Sequence, residues 1–127
     1  MASRLHERGE NPELILSSPA ERAIKTARLV AEELGVPKKK IVANNEIYLA
    51  DADELLKILR GLDDSYHRVL LCGHNPGITN LCNFLADLKI DNIPTCGVVS
   101  LDVQIDSWAE LGQASGTLVY FDYPKKN

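Results

Sequence analysis

The chain has 127 residues, of which 45% are hydrophobic and 25% charged, with a formal net charge of −4 at pH 7 and a pI near 5.3. That length suits one domain with a real core and is too short for two, and the acidic balance argues against a general nucleic-acid surface. No stretch reads as a signal peptide or a membrane span, so a cytoplasmic protein that binds neither nucleic acid nor membrane is expected.

The opening run, Met-Ala-Ser-Arg-Leu-His-Glu-Arg-Gly, reads as the last turns of a helix closed by Gly9. After the Asn11-Pro12 turn, Leu14-Ile15-Leu16 is a short apolar strand. Ser18 with Glu21 has the spacing of a capping box, and Pro19 suits the first helical position, which predicts a helix over 19–34. Its inward stripe is Ala20, Ala23, Ile24, Ala27, Val30, Ala31 and Leu34, narrow enough to lie close against a sheet, and Gly35 and Pro37 end it. Lys38–Lys40 reads as a solvated loop, and Ile41-Val42-Ala43 as a weak strand. Asp51 and Glu54 form a second capping box, for a helix over 51–61 carrying Leu55, Leu56, Leu59 and, just beyond it, Leu62.

Val69, Leu70 and Leu71 form an apolar run of the kind covered on both faces, and Gly73 lets the chain bend after them. Asn75 then reads as an N-cap with Pro76 at the first helical position. Ile78, Leu81, Cys82, Leu85 and Leu88 recur at helical spacing. Asn92-Ile93-Pro94 opens a loop. Two further strands are expected, over 98–103 and 117–122, joined by residues 106–116 with Gly112, Ser115 and Gly116. The three cysteines, at 72, 82 and 96, have no paired metal-type spacing and an odd count, and read as reduced thiols.

Two corners share one design. Leu14-Ile-Leu-Ser-Ser-Pro-Ala-Glu-Arg22 and Val69-Leu-Leu-Cys-Gly-His-Asn-Pro76 both run apolar strand, small polar residues, proline, helix. If the strands are parallel neighbours, as alternating βα units usually are, both corners lie on one sheet edge and Arg22 and His74 can serve one pocket. A guanidinium offers a planar fork of donors for a phosphate, an imidazolium adds another, and helix N-termini contribute positive potential. Such preorganised donors are what a phosphoryl group in transfer requires.

Each residue also has a plainer reading. Alone, His74 serves equally as a capping or packing histidine, Arg22 as a solvated surface arginine, and Ser18 mainly as a cap. His6 and His67 read as exposed and idle, and Cys72 as a core thiol rather than a nucleophile.

Residues 14–27 and 69–78 together resemble the second and third signature segments of the histidine phosphatase superfamily, specifically its small SixA-like phosphohistidine phosphatases. The order and spacing of elements are similar from end to end. The resemblance implies a phosphoglycerate mutase-like, three-layer α/β/α sandwich with a mostly parallel sheet, and a phosphate pocket of two arginines and two histidines. It makes Arg22 the second pocket arginine and His74 the second histidine, both catalytic and phosphate-binding, with Asn75 and Ser18 shaping the pocket. No metal or other cofactor is implied, because arginine and histidine supply the positive charge.

The chain departs from that pattern at its start. Family members end their first strand in Arg-His-Gly or Arg-His-Ala, whose histidine accepts the phosphoryl group, and no such segment occurs here. His6 is followed by Glu7 in a helix-like turn and does not replace it. The expectation is an N-terminally truncated domain lacking the first strand and most of the first helix, inactive as it stands. Self-association through exposed sheet edges is an expected consequence. Glu46 and Asp51 are the nearest candidates for a proton donor, and both are weak.

The expected parent activity is hydrolysis of phosphorylated protein histidine or small phosphomonoesters through a phosphohistidine intermediate, with phosphate or sulfate ion binding retained near Arg22 and His74. The rival reading is a non-catalytic phosphate- or phosphoprotein-binding module. An upstream in-frame segment encoding a strand that ends in Arg-His distinguishes the two.

Overall fold

In the computed structural model, which describes residues 2–94 and 97–124, three apolar runs become a parallel sheet. Strands β1 (Leu14–Ser17), β2 (Ile41–Ala43) and β3 (Val69–Cys72) align in the order β2-β1-β3. Ile15 lies opposite both Ile41 and Leu70, and Ser17 opposite both Ala43 and Cys72. As the middle strand, β1 must be apolar on both faces, and Leu14, Ile15 and Leu16 are all buried. The ladder continues past the strand ends, where Ser18 N–H donates to Cys72 O at 3.0 Å and Asn44 N–H donates to Ser17 O at 2.9 Å.

One compact unit comprises the residues up to Leu49 together with Ser65–His74. Helix α1 (Ala2–Glu7) is followed by Gly9 in the left-handed region at φ 73°, as the opening run implies. Helix α2 (Glu21–Leu34) packs on the sheet through the expected stripe. Ala23, Ala27, Val30 and Ala31 are buried, and Ile15, Ala27, Ala31 and Val36 form a core that Leu34, Ile41, Leu70 and Cys72 close. The small side chains of that stripe let helix and sheet approach. Gly35, at φ 70°, ends the helix by returning its N–H to Glu32 O. The lysine run is an exposed 3-10 turn rather than a plain loop. Across the sheet's amino end, Glu13 Oε1 accepts the N–H groups of His67 and Arg68 at 2.6 and 3.0 Å. These two charge-assisted bonds hold the Glu13 carboxyl below its ordinary value.

The second unit comprises Ala50–Asp64 and the residues from Asn75 onward. Helix α3 (Ala52–Arg60) begins with the expected capping box. Asp51 Oδ1 accepts Glu54 N–H at 2.9 Å, and Glu54 Oε1 accepts Asp51 N–H at 3.2 Å. It packs against α4 (Gly77–Ala86), with Leu55, Leu56, Leu59, Leu81 and Leu85 buried. A Cβ at Gly77 would collide with the Ala50 carbonyl, so only glycine fits the start of α4. Strands β4 (Val98–Val103) and β5 (Gly116–Asp122) pair antiparallel as a separate two-stranded sheet, bulged between Ser100 and Leu101. The alternation of these strands is thus legible in sequence, but not their separation from the parallel sheet. Their connection contains a short 3-10 turn, Trp108–Glu110, tied down where Asp64 accepts Trp108 N–H at 2.9 Å.

Two expected caps do not form. Helix α2 starts at Glu21 with Ala20 as its N-cap, not Ser18, and α4 has Pro76 as its N-cap, not Asn75. Ser18 Oγ is engaged by Ala20 N–H and His74, and the Asn75 amide by the Thr79 hydroxyl and Ile93 O, so neither accepts a backbone N–H of the helix's first turn. The architecture is a mixed α/β fold with a parallel three-stranded sheet and helices. No helix among the described residues is long and apolar enough to cross a membrane.

Candidate functional site

Because β1 and β3 are parallel neighbours in register, the segments that follow them leave from the same end of the sheet. Ser18 directly follows β1, and His74 follows β3 after the single residue Gly73. Their side chains meet, with His74 Nε2 2.7 Å from Ser18 Oγ. Ser18 is fully buried and His74 half-buried. The same Oγ accepts Ala20 N–H at 3.1 Å, which explains why Ser18 turns the chain into α2 without capping it. A serine hydroxyl has two acceptor lone pairs and one proton. It can therefore accept from Ala20 and from a protonated His74 together, or accept from Ala20 while donating to the neutral ring.

The His74 ring also meets that of Tyr48. The two rings meet edge to face, with centroids 5.6 Å apart and planes 83° apart. That arrangement places the positive edge of one ring against the negative face of the other. Tyr48 follows the 3-10 turn Asn45–Ile47, which Asn44 caps by accepting Glu46 N–H at 2.9 Å and which the buried Ile47 anchors. The sequence gives no local sign of this contact, since the tyrosine and histidine belong to separate segments that only the fold joins.

Arg22 is the second residue of α2, at the same end of the sheet, and exposed. Among the described residues its guanidinium shares no hydrogen bond with Ser18 or His74. Asn75 is committed elsewhere. Its Nδ2 donates to Ile93 O at 2.8 Å, and its Oδ1 accepts from Thr79 Oγ1 at 2.6 Å. Thr79 Oγ1 in turn accepts Ile93 N–H at 3.0 Å. This buried knot fixes the start of α4 to the loop at Ile93. Asp51 is engaged as a helix cap and Glu46 is exposed on its 3-10 turn, so neither has a feature marking it as an acid catalyst.

His6 and His67 are both exposed. His67 precedes β3, at the opposite end of the sheet from His74. Burial pushes the Cys72 and Cys82 thiols up to about 11, so both are protonated at neutral pH and unsuited to nucleophilic attack. Cys96 lies outside the described residues. No cluster of three or more histidine, cysteine, aspartate or glutamate side chains able to hold a metal occurs among the described residues. An open depression of about 510 Å³, lined in part by Pro12, Val36, Pro37, Lys40 and Tyr66, lies at the amino end of the sheet, away from His74.

No protein-family model matches the chain, and no curated protein sequence matches it. Solved structures do. A protein of Agrobacterium tumefaciens, assigned as the phosphohistidine phosphatase SixA, superposes with a TM-score of 0.80 at 24% identity, over 97% of this chain and 75% of that one. A protein of Nakamurella multipartitia with the same assignment gives 0.71 at 21% identity, over 98% and 80% of the two chains. The protein histidine phosphatase SixA in complex with tungstate gives 0.76 at 21% identity, over 94% and 74%. The chain therefore has the α/β fold of the SixA structures to which it is similar.

Proposed function

We propose that Arg22 and His74 form a phosphoryl-binding corner, held in shape by Ser18. We further propose that the chemistry associated with this corner is hydrolysis of phosphorylated protein histidine or small phosphomonoesters through a phosphohistidine intermediate. The observation that carries this reading is the 2.7 Å contact between His74 Nε2 and Ser18 Oγ, which ties two strand-to-helix corners together at one sheet end. With Nε2 engaged by Ser18, Nδ1–H of a protonated His74 is the donor left for a phosphoryl oxygen, and the exposed guanidinium of Arg22 supplies a second, forked donor. The first N–H groups of α2 add positive potential at the same corner. Tungstate is a tetrahedral oxyanion like phosphate, and its presence in a SixA structure of the same fold supports an oxyanion as the ligand class.

Ser18 is a positioning residue in this scheme, since its hydroxyl is fully buried and acts through the imidazole. Residues 1–127 contain no Arg-His-Gly or Arg-His-Ala segment to supply a nucleophilic histidine. As it stands the chain binds without turning over, which also favours the second reading, a non-catalytic phosphate- or phosphoprotein-binding module.

Titration with orthophosphate and with sulfate tests the corner. A hydrogen bond to a charged group contributes about 1.5–3 kcal/mol, so Arg22→Ala and His74→Ala should each weaken binding roughly 10- to 100-fold. Unchanged affinity in both variants overturns the proposal. Release of phosphate from a phosphomonoester by the unmodified chain would overturn the reading that it is inactive.

A further inference from the structure

Tyr48, whose ring meets His74, and the residue that follows it, Leu49, are both large side chains left mostly exposed to solvent. Tyr48 is 53% exposed although its ring meets that of His74, and Leu49 is 70% exposed. Leu49 also sits at φ 54°, in the left-handed region, where a leucine is strained by about 1–2 kcal/mol and glycine or asparagine is not. Strain is retained at ligand clamps and substrate sites when the side chain it presents has a use. The preceding Ile47 is 1% exposed, so the segment is anchored and the two side chains are presented rather than loose.

We propose that Tyr48 and Leu49 form an apolar rim to the Arg22–His74 corner that contacts the body of the phosphorylated group, selecting a phosphoryl carried on a flat ring over one carried on a polyol. This inference rests on the phosphoryl-binding reading above and adds its specificity. A phenol or imidazole ring offers faces and edges that stack on tyrosine and pack on leucine. The aliphatic Leu49 has no donor or acceptor for the hydroxyl groups of a polyol, which would lose water there without replacement. Tyr48 has a second effect, because its ring contact limits rotation of the His74 ring and so fixes the direction of the donor that meets the phosphoryl oxygen.

Phenyl phosphate, glycerol 3-phosphate and orthophosphate serve as probes, with Leu49→Gly, Leu49→Asn, Tyr48→Ala and Tyr48→Phe as variants. Both Leu49 substitutions suit a left-handed backbone, so they relieve strain and do not threaten folding. The expected result is a phenyl phosphate affinity ~3- to 10-fold above that for glycerol 3-phosphate, as one ring contact provides. That ratio should fall to near one in Leu49→Asn and Tyr48→Ala and be kept in Tyr48→Phe, which retains the ring. A ratio unaltered by Leu49→Asn and Tyr48→Ala, or a ratio near one in the unmodified chain, overturns the rim while leaving the corner intact. Failure of all three probes to bind the unmodified chain overturns the corner and the rim together.

Discussion

The Oγ of Ser18 meets Ala20 N–H at 3.1 Å and His74 Nε2 at 2.7 Å, without exposure to solvent. Removing it takes the partner from a backbone donor and a ring nitrogen that are both part-buried, and each such bond is worth about 0.5–1.5 kcal/mol. Ser18→Ala should therefore lower stability by at least that amount, read from the urea midpoint, whereas Ser18→Thr keeps a hydroxyl. An alanine variant as stable as the parent would mean that the contact carries nothing. This residue also marks where reading the chain by itself falls short. Ser18 with Glu21 and Asp51 with Glu54 have the same spacing, yet only the second pair closes a capping box. Asp51 is exposed and free to serve its own helix, while Ser18 is drawn to an imidazole 56 residues away that no local pattern reveals. Asn75 fails as a cap for the same reason, its amide being taken by Thr79 and Ile93.

Among the elements, β1 and α2 were the most legible, because a short apolar run followed by an alanine-rich stripe leaves few alternatives. The separation of β4 and β5 into their own sheet was not legible, since alternation shows that a strand exists but not which neighbour it pairs with. The start of β1 also carries a pH dependence. Glu13 accepts the N–H groups of His67 and Arg68, just ahead of β3, and its folded-state pKa is lowered from 4.5 by those bonds. A lowered carboxyl pKa contributes stability that is complete above the unfolded value and is lost as pH falls through the folded one. The chain should thus lose stability on acidification below about 4.5, more steeply than Glu13→Gln, which has no charge to titrate. Urea midpoints measured for both proteins across that acid range check the point, and superimposable profiles would contradict it.

Among the described residues, the parallel sheet ends in two strands, β2 and β3, each paired on one side. β3, Val69-Leu-Leu-Cys72, is partly buried throughout and has no charge inside the strand, and β2 exposes Val42 at 45%. Uncharged edges of this kind are templates for another strand. Sedimentation should show association that rises with concentration. Val42→Lys, which places a charge on one edge without touching the core, should reduce it. A sedimentation coefficient independent of concentration would remove edge pairing from consideration. The protonated Cys72 thiol has a separate consequence. With a pKa near 11 and a place in the core, it reacts with an alkylating reagent only when β3 lets go of its surroundings. Its labelling rate, followed peptide by peptide in a mass spectrometer, becomes a built-in clock for how often the strand beneath His74 breathes.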